Sequence, residues 1–146
     1  MPRFHHLIFD LDGTLVDTKD DLAAATNHML AVLGLPQLPI ARIASFVGNG
    51  ARVLVEKALG ADQGHLADRG FEMFMRYYSA HLLDHTRLYE GIATFLSEAR
   101  RLGMVLSVLT NKPETPSRAI LSGLGIDSVF FNVVGGDTLK KKKPNP

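Results

Sequence analysis

Met104-Val105-Leu106-Ser107-Val108-Leu109-Thr110 is an almost unbroken apolar run, and it constrains the fold more than any other stretch. A strand of this kind offers no polar face to water, so it belongs in a parallel sheet covered on both sides. The flanking segments agree. Gly91–Leu102 places Ile92, Phe95, Leu96, Ala99 and Leu102 on one helical face and closes at Gly103. Thr115 as a cap and Pro116 in the first turn predict a helix through Ser117 to Leu124. Phe131–Val134 reads as the next strand, followed by Gly135-Gly136-Asp137. Near the start, Leu7 to Asp10 reads as another buried strand, with Asp10 at its C-terminal end.

The stretch between these strands is helical. Thr18 as N-cap with Asp21 three residues on opens a helix carrying Leu22, Ala25, Met29, Leu30 and Leu33, which stops at Gly34. Pro36 and Pro39 mark a break, Ile40–Phe46 a short helix, Gly48-Asn49-Gly50 a turn, and Ala51–Leu59 a helix ended by Gly60. Phe71, Phe74, Met75, Tyr78 and Leu82 recur at helical spacing over about His65–Leu83, a stripe that predicts the core of this section. The order strand, long helical stretch, then alternating helix and strand predicts an α/β fold. It is a Rossmann-like, doubly wound parallel sheet with right-handed crossovers and an inserted helical domain. In such sheets ligands bind at the carboxyl ends of the strands, so Asp10, Thr110 and Asp137 are expected to converge.

With 146 residues the chain suits one domain with a smaller insertion. A net charge of +1 gives no argument for nucleic acid or an acidic membrane as partner, and no run reaches the length of a membrane span. There is no cysteine, which excludes disulfides, zinc-thiolate sites and thiol catalysis, and fits a reducing compartment. No signal-peptide core precedes Asp10, so the expected location is the cytoplasm.

The chemistry concentrates in Asp10-Leu11-Asp12-Gly13-Thr14-Leu15-Val16-Asp17. Two carboxylates one residue apart repel each other unless a cation neutralises them. Hard oxygen ligands of this kind suit magnesium, which takes one or two protein carboxylates plus waters and phosphate oxygens. An Asx turn after a strand accounts for one Asp and the Gly, but not for the second carboxylate. Thr110-Asn111-Lys112 ends the second strand, where neutral donors suit phosphate capture. Of Lys140-Lys141-Lys142-Lys143, Lys143 stands apart because Pro144 follows it and pushes it toward an extended conformation. Gly48-Asn49-Gly50-Ala51-Arg52 follows a helix rather than a strand, which removes a dinucleotide loop, although Arg52 suits bidentate binding of a substrate carboxylate. His81 and His85 lack the Glu of a zinc-protease motif and read as the solvated end of a helix.

Asp10-Leu11-Asp12-Gly13-Thr14 resembles the first motif of the haloacid dehalogenase superfamily of aspartate-nucleophile phosphatases. The resemblance implies that Asp10 attacks phosphorus, that Asp12 is the acid/base, and that the Asp10 carboxylate and Asp12 carbonyl bind Mg2+. It makes Thr110 the second motif, its hydroxyl and the Asn111 N–H holding the phosphoryl group. Lys143, ahead of Pro144-Asn145-Pro146, becomes the third motif, favoured over Lys142. Thr14 and Arg52 join the substrate-binding set. The resemblance also implies domains at 1–16 with 89–146 (core) and 17–88 (helical cap).

Within the superfamily, Phe46–Arg52, Thr110-Asn111-Lys112-Pro113 and Gly135–Leu139 resemble the phosphoglycolate phosphatases. The expected partner is therefore a small phosphorylated metabolite, and oligomeric state is left open. Asp12 argues against a dehalogenase, while a phosphomutase of the same fold and a non-catalytic phosphate-binding or assembly module remain as alternatives. A fourth, acidic Gly-Asp motif is implied beyond Lys143, on a strand that would lie beside Leu7–Phe9. It does not occur before Pro146. The sequence is thus expected to be part of a protein about half as long again, and inactive or nearly so taken alone, because it leaves a bare edge strand and an incomplete metal site.

Overall fold

A computed structural model describes residues 4–145, which divide into two compact units. The first comprises the chain up to Asp17 and from Arg87 onward, and the second runs from Thr18 to Thr86.

The first unit contains β1 (His6–Phe9) and β2 (Val16–Asp17), then, past the helical unit, β3 (Arg87–Leu88), α5 (Ile92–Arg101), β4 (Val105–Leu109), α6 (Glu114–Gly123) and β5 (Asn132–Val134). The helical unit supplies α1 (Lys19–Val32), α2 (Ile40–Ala44), α3 (Ala51–Leu59) and α4 (Ala67–Ala80). β1, β4 and β5 form a parallel sheet in the order β1-β4-β5, with Phe9 opposite Val108 and Leu109 opposite Val134. Since all three strands point the same way, Asp10, Thr110 and Gly135 follow their C-terminal ends along one edge. β2 and β3 pair antiparallel, Val16 with Leu88 and Asp17 with Arg87, next to the two points where the chain leaves and re-enters this unit.

The central strand carries the core, as its composition demands. Leu106, Ser107 and Val108 are all buried, so both faces of β4 are covered, with Leu96, Ala99, Ile120, Leu121 and Val133 in the same apolar interior. β1 departs from the expected buried strand. It occupies the edge expected for Leu7–Phe9 when no strand lies on its other side and packs chiefly on β4, leaving Ile8 62% exposed, while Phe9 meets Phe95 and Phe130 edge-on with ring centroids 6.1 and 6.3 Å apart. The apolar stripe of α5 is also wider than the face it buries: Leu96 and Ala99 are interior, but Phe95 and Leu102 are about half exposed. α6 starts earlier than Thr115 and Pro116 suggest. Pro113 is its N-cap residue, because an acceptor from outside the helix, Asp137, receives the Glu114 N–H at 2.7 Å. A first-turn amide has no partner within its own helix, and a carboxylate there also meets the positive end of the helix dipole.

The second unit contains α1 (Lys19–Val32), α2 (Ile40–Ala44), α3 (Ala51–Leu59), a 3-10 segment (Ala61–Leu66) and α4 (Ala67–Ala80). Met29, Leu30, Leu54, Val55, Leu59, Phe74 and Tyr78 form its core, with the Phe74 and Tyr78 rings stacked at 5.5 Å. Gly70 permits the close approach of α4: a Cβ there would sit 3.2 Å from the Met29 sulfur and 3.3 Å from Leu59. Asn27 holds the chain after α1 through two reciprocal bonds of 2.9 Å with the Leu38 backbone.

Two expectations about this unit need correction. Thr18 and Asp21 do not form a capping pair. Thr18 makes no side-chain capping bond, and Asp21, 1% exposed, instead accepts from the His85 N–H, the Thr86 N–H and the Thr86 hydroxyl at 2.7–3.0 Å. Buried donors at that chain exit require an acceptor, and a carboxylate serves several at once. His81 and His85 do not share a helix, because α4 ends at Ala80; the His81 ring pairs with Asp84 at 2.7 Å.

Asp21→Ala is expected to cost about 3 kcal/mol, since it strands the His85 and Thr86 donors that Asp21 satisfies. Chemical denaturation of the variant beside wild type measures this, and a change within about 0.5 kcal/mol, as at an ordinary surface site, would contradict the role assigned to Asp21.

Candidate active site

The chain leaves β1 at Asp10 and turns sharply. Thr14, Leu15 and Val16 all donate their N–H to the Leu11 carbonyl at 3.0–3.2 Å, and Gly13 takes the positive φ (77°) the turn requires. This winding buries Leu11 and Leu15 as an anchor and leaves both aspartates at the sheet edge. Asp10 Oδ1 accepts the Leu11 N–H at 2.7 Å, and Asp10 Oδ2 lies 3.0 Å from the Lys143 ammonium. Thr14 is exposed on the turn.

β4 delivers the second group of residues. Thr110, 3% exposed, follows its end, and its hydroxyl oxygen accepts the Lys112 N–H at 3.1 Å. Lys112 is buried, and its ammonium contacts both oxygens of Asp12 at 3.0 and 3.1 Å. The Asn111 side chain donates to the Lys143 carbonyl at 3.1 Å. A cavity of about 530 Å³ opens beside Thr110 and Asn111, with Gly135, Lys142 and Lys143 also on its wall.

Gly135 and Gly136 make this approach possible. A Cβ on Gly136 would overlap the Asn111 carbonyl, and one on Gly135 would overlap the Glu114 backbone, while the Gly136 N–H donates to the Lys112 carbonyl at 2.8 Å. The loop is further pinned by the Thr138 hydroxyl on Glu114 at 2.6 Å. That bond first, and then Arg118, hold the Glu114 carboxyl below the usual carboxylate range.

The first unit thus brings together Asp10, Asp12, Thr110, Asn111 and Lys143. Lys143 itself lies in a turn closed by the Asn145 N–H on the Lys142 carbonyl. Asp137 does not join the group, because capping α6 occupies its carboxylate. Arg52 belongs to the helical unit, where Asp68 pairs with it at 2.9 Å and the Phe71 ring lies beneath it at 4.8 Å. Lys112 is the residue that sequence reasoning passed over. The signal was its place directly after Thr110-Asn111, but its contact spans 100 positions of the chain.

A metal fits part of this arrangement. Asp10 offers a partly exposed carboxylate, a hard oxygen donor of the kind magnesium accepts along with waters and phosphate. Among the described residues no group of three or more His, Asp or Glu side chains is placed to hold a metal ion alone.

Residues 7–146 match the haloacid dehalogenase-like hydrolase family, and the chain belongs to it. It is similar to the phosphoglycolate phosphatase of Pseudomonas syringae pv. tomato, with 40% identity over 146 residues covering 96% of this chain and 53% of that protein. The phosphoglycolate phosphatase of Chromobacterium violaceum is 44% identical, covering 94% and 64%. Among solved structures, that of a predicted phosphoglycolate phosphatase from Haemophilus somnus superposes with a TM-score of 0.91 at 34% identity, covering 99% of this chain and 68% of that one. The chain spans roughly half to two-thirds of the length of these relatives.

Gly136→Ala is expected to lower stability by about 1–3 kcal/mol through overpacking against Asn111. Gly64, with no atom within 4 Å of an added Cβ, is the control position. Equal unfolding midpoints for the two alanine variants would contradict the close approach.

Proposed function

We propose that the protein to which this chain belongs is a magnesium-dependent phosphomonoesterase acting on 2-phosphoglycolate or a similar small phosphate ester. The observation that carries this reading is the pairing of Asp10 with Lys143 and of Asp12 with Lys112 beside the Thr110 hydroxyl, at the ends of parallel strands. Two neighbouring carboxylates, each held by its own cation, take two different roles. The names of the relatives add the substrate class.

In this mechanism Asp10 Oδ attacks phosphorus. A bond forms from that oxygen to phosphorus, and the ester P–O bond breaks, leaving an aspartyl-phosphate. Asp12 gives its proton to the departing alkoxide. The same carboxylate then takes a proton from water, which attacks phosphorus, releases inorganic phosphate and restores Asp10. Splitting hydrolysis into two displacements lowers each barrier. The Thr110 hydroxyl and Asn111 N–H hold phosphoryl oxygens, with Thr14 in the same binding role, and Lys143 offsets the charge on Asp10 and phosphate. The Asp10 carboxylate and Asp12 carbonyl would hold magnesium, which when bound neutralises phosphate charge. We assign the helical unit, Thr18–Thr86, the role of cap, and Arg52 that of meeting a substrate carboxylate.

Phosphate release from 2-phosphoglycolate by the full-length protein tests this reading. Activity should require magnesium, vanish with a chelator and return on magnesium addition. Asp10→Asn should reduce kcat by roughly a thousandfold or more. Normal magnesium-dependent release by Asp10→Asn would overturn the nucleophile assignment, and an isomerised phosphate ester without free phosphate would point to a mutase instead.

A further inference from the structure

Lys112 combines three contacts. Its amide N–H donates to the Thr110 hydroxyl oxygen, its ammonium clasps both oxygens of Asp12, and its carbonyl accepts from Gly136. Its side chain is 5% exposed and that of Asp12 12%. A lysine buried to this degree is costly unless paired, and the pair it forms joins the turn after β1 to the turn after β4.

We infer that Lys112 is a positioning residue for the acid/base Asp12, an inference that rests on the phosphatase reading above. The contact to both carboxylate oxygens restricts rotation about the Asp12 side-chain bonds. Asp12 is then kept at one distance from the phosphoryl position instead of sampling several rotamers. A misplacement of about 1 Å in a reacting group can cost on the order of a hundredfold in rate. The backbone of the same residue orients the phosphate ligand: with its oxygen occupied by the Lys112 N–H, the Thr110 hydroxyl has its own proton available to donate outward. The two groups that must meet opposite ends of the scissile bond are therefore set by one side chain and one peptide unit. Lys112 itself need not touch substrate. Lys143, at 3.0 Å from Asp10, already supplies a cation on the nucleophile side.

A double-mutant cycle on the full-length protein tests this. Lys112→Met should lower kcat for 2-phosphoglycolate roughly a hundredfold, the low end of a positioned acid/base contribution. KM and competitive inhibition by inorganic phosphate should stay within about threefold of wild type, as expected when uniform substrate binding is untouched. In an Asp12→Asn background, Lys112→Met should cost no further kcat, because the group it positions is already gone. The leaving-group burst from 4-nitrophenyl phosphate, whose departing oxygen needs little protonation, should be affected far less than the first step with 2-phosphoglycolate.

Should Lys112→Met fail to fold, the neutral pair Asp12→Asn/Lys112→Met buries no lone charge, and its kcat against Asp12→Asn alone gives the same comparison. Losses that multiply would overturn the proposal and make Lys112 either a general structural support or a direct phosphate ligand, the latter with a matching rise in phosphate inhibition constant. A wild-type protein that releases no phosphate, or an Asp10→Asn protein that releases it normally, would instead overturn the phosphatase reading on which this one stands.

Discussion

Two carboxylates one residue apart must each find a cation, and the rest of the first unit is arranged around that requirement. Asp10 and Asp12 leave β1 together, and in isolation their repulsion would favour a splayed turn. Lys143 approaches Asp10 from the loop after β5, and Lys112 approaches Asp12 from the turn after β4. Neither lysine is near in sequence. The parallel sheet supplies the proximity, because strands running the same way end at the same edge. A half-exposed pair and a buried pair then differ in kind. The Asp10 carboxylate stays open to solvent, while that of Asp12 is buried against Lys112.

The close packing needed for this arrangement explains the glycines beyond β5. Gly135 and Gly136 press against the Glu114 and Asn111 backbones, where any Cβ would overlap them. That contact, the Asp137 cap on α6 and the Thr138 bond to Glu114 secure the loop leading to Lys143. The Lys143 contact with Asp10 therefore rests on packing elsewhere in the unit. The helical unit has its own version of the same economy, with the Asp21 carboxylate tying the start of α1 to the chain exit at Thr86.

Much of this was legible in the sequence wherever the information is local. The apolar run of β4, the strand ending at Asp10, the turn at Gly48–Gly50 and the stop at Gly60 follow from composition and backbone preference, and the structure has them within a residue or two. What sequence reading missed depends on partners far along the chain. Asp21 looks like a cap residue until His85 and Thr86 reach it, Asp137 looks like a site carboxylate until the Glu114 amide takes it, and Lys112 looks like part of a polar turn until Asp12 meets it. Phe95 and Leu102 show the other limit: apolar periodicity identifies a face, but not how much of that face its neighbours cover.

The central claim is covalent chemistry at Asp10, and trapping the intermediate tests it most directly. Full-length protein mixed with 2-phosphoglycolate and magnesium, quenched during turnover and reduced with borohydride, would convert an aspartyl-phosphate into homoserine. Mass analysis of the peptide containing residues 10–12 should then show homoserine at position 10. Reduction at position 12, or turnover with an unmodified peptide throughout, would contradict the account.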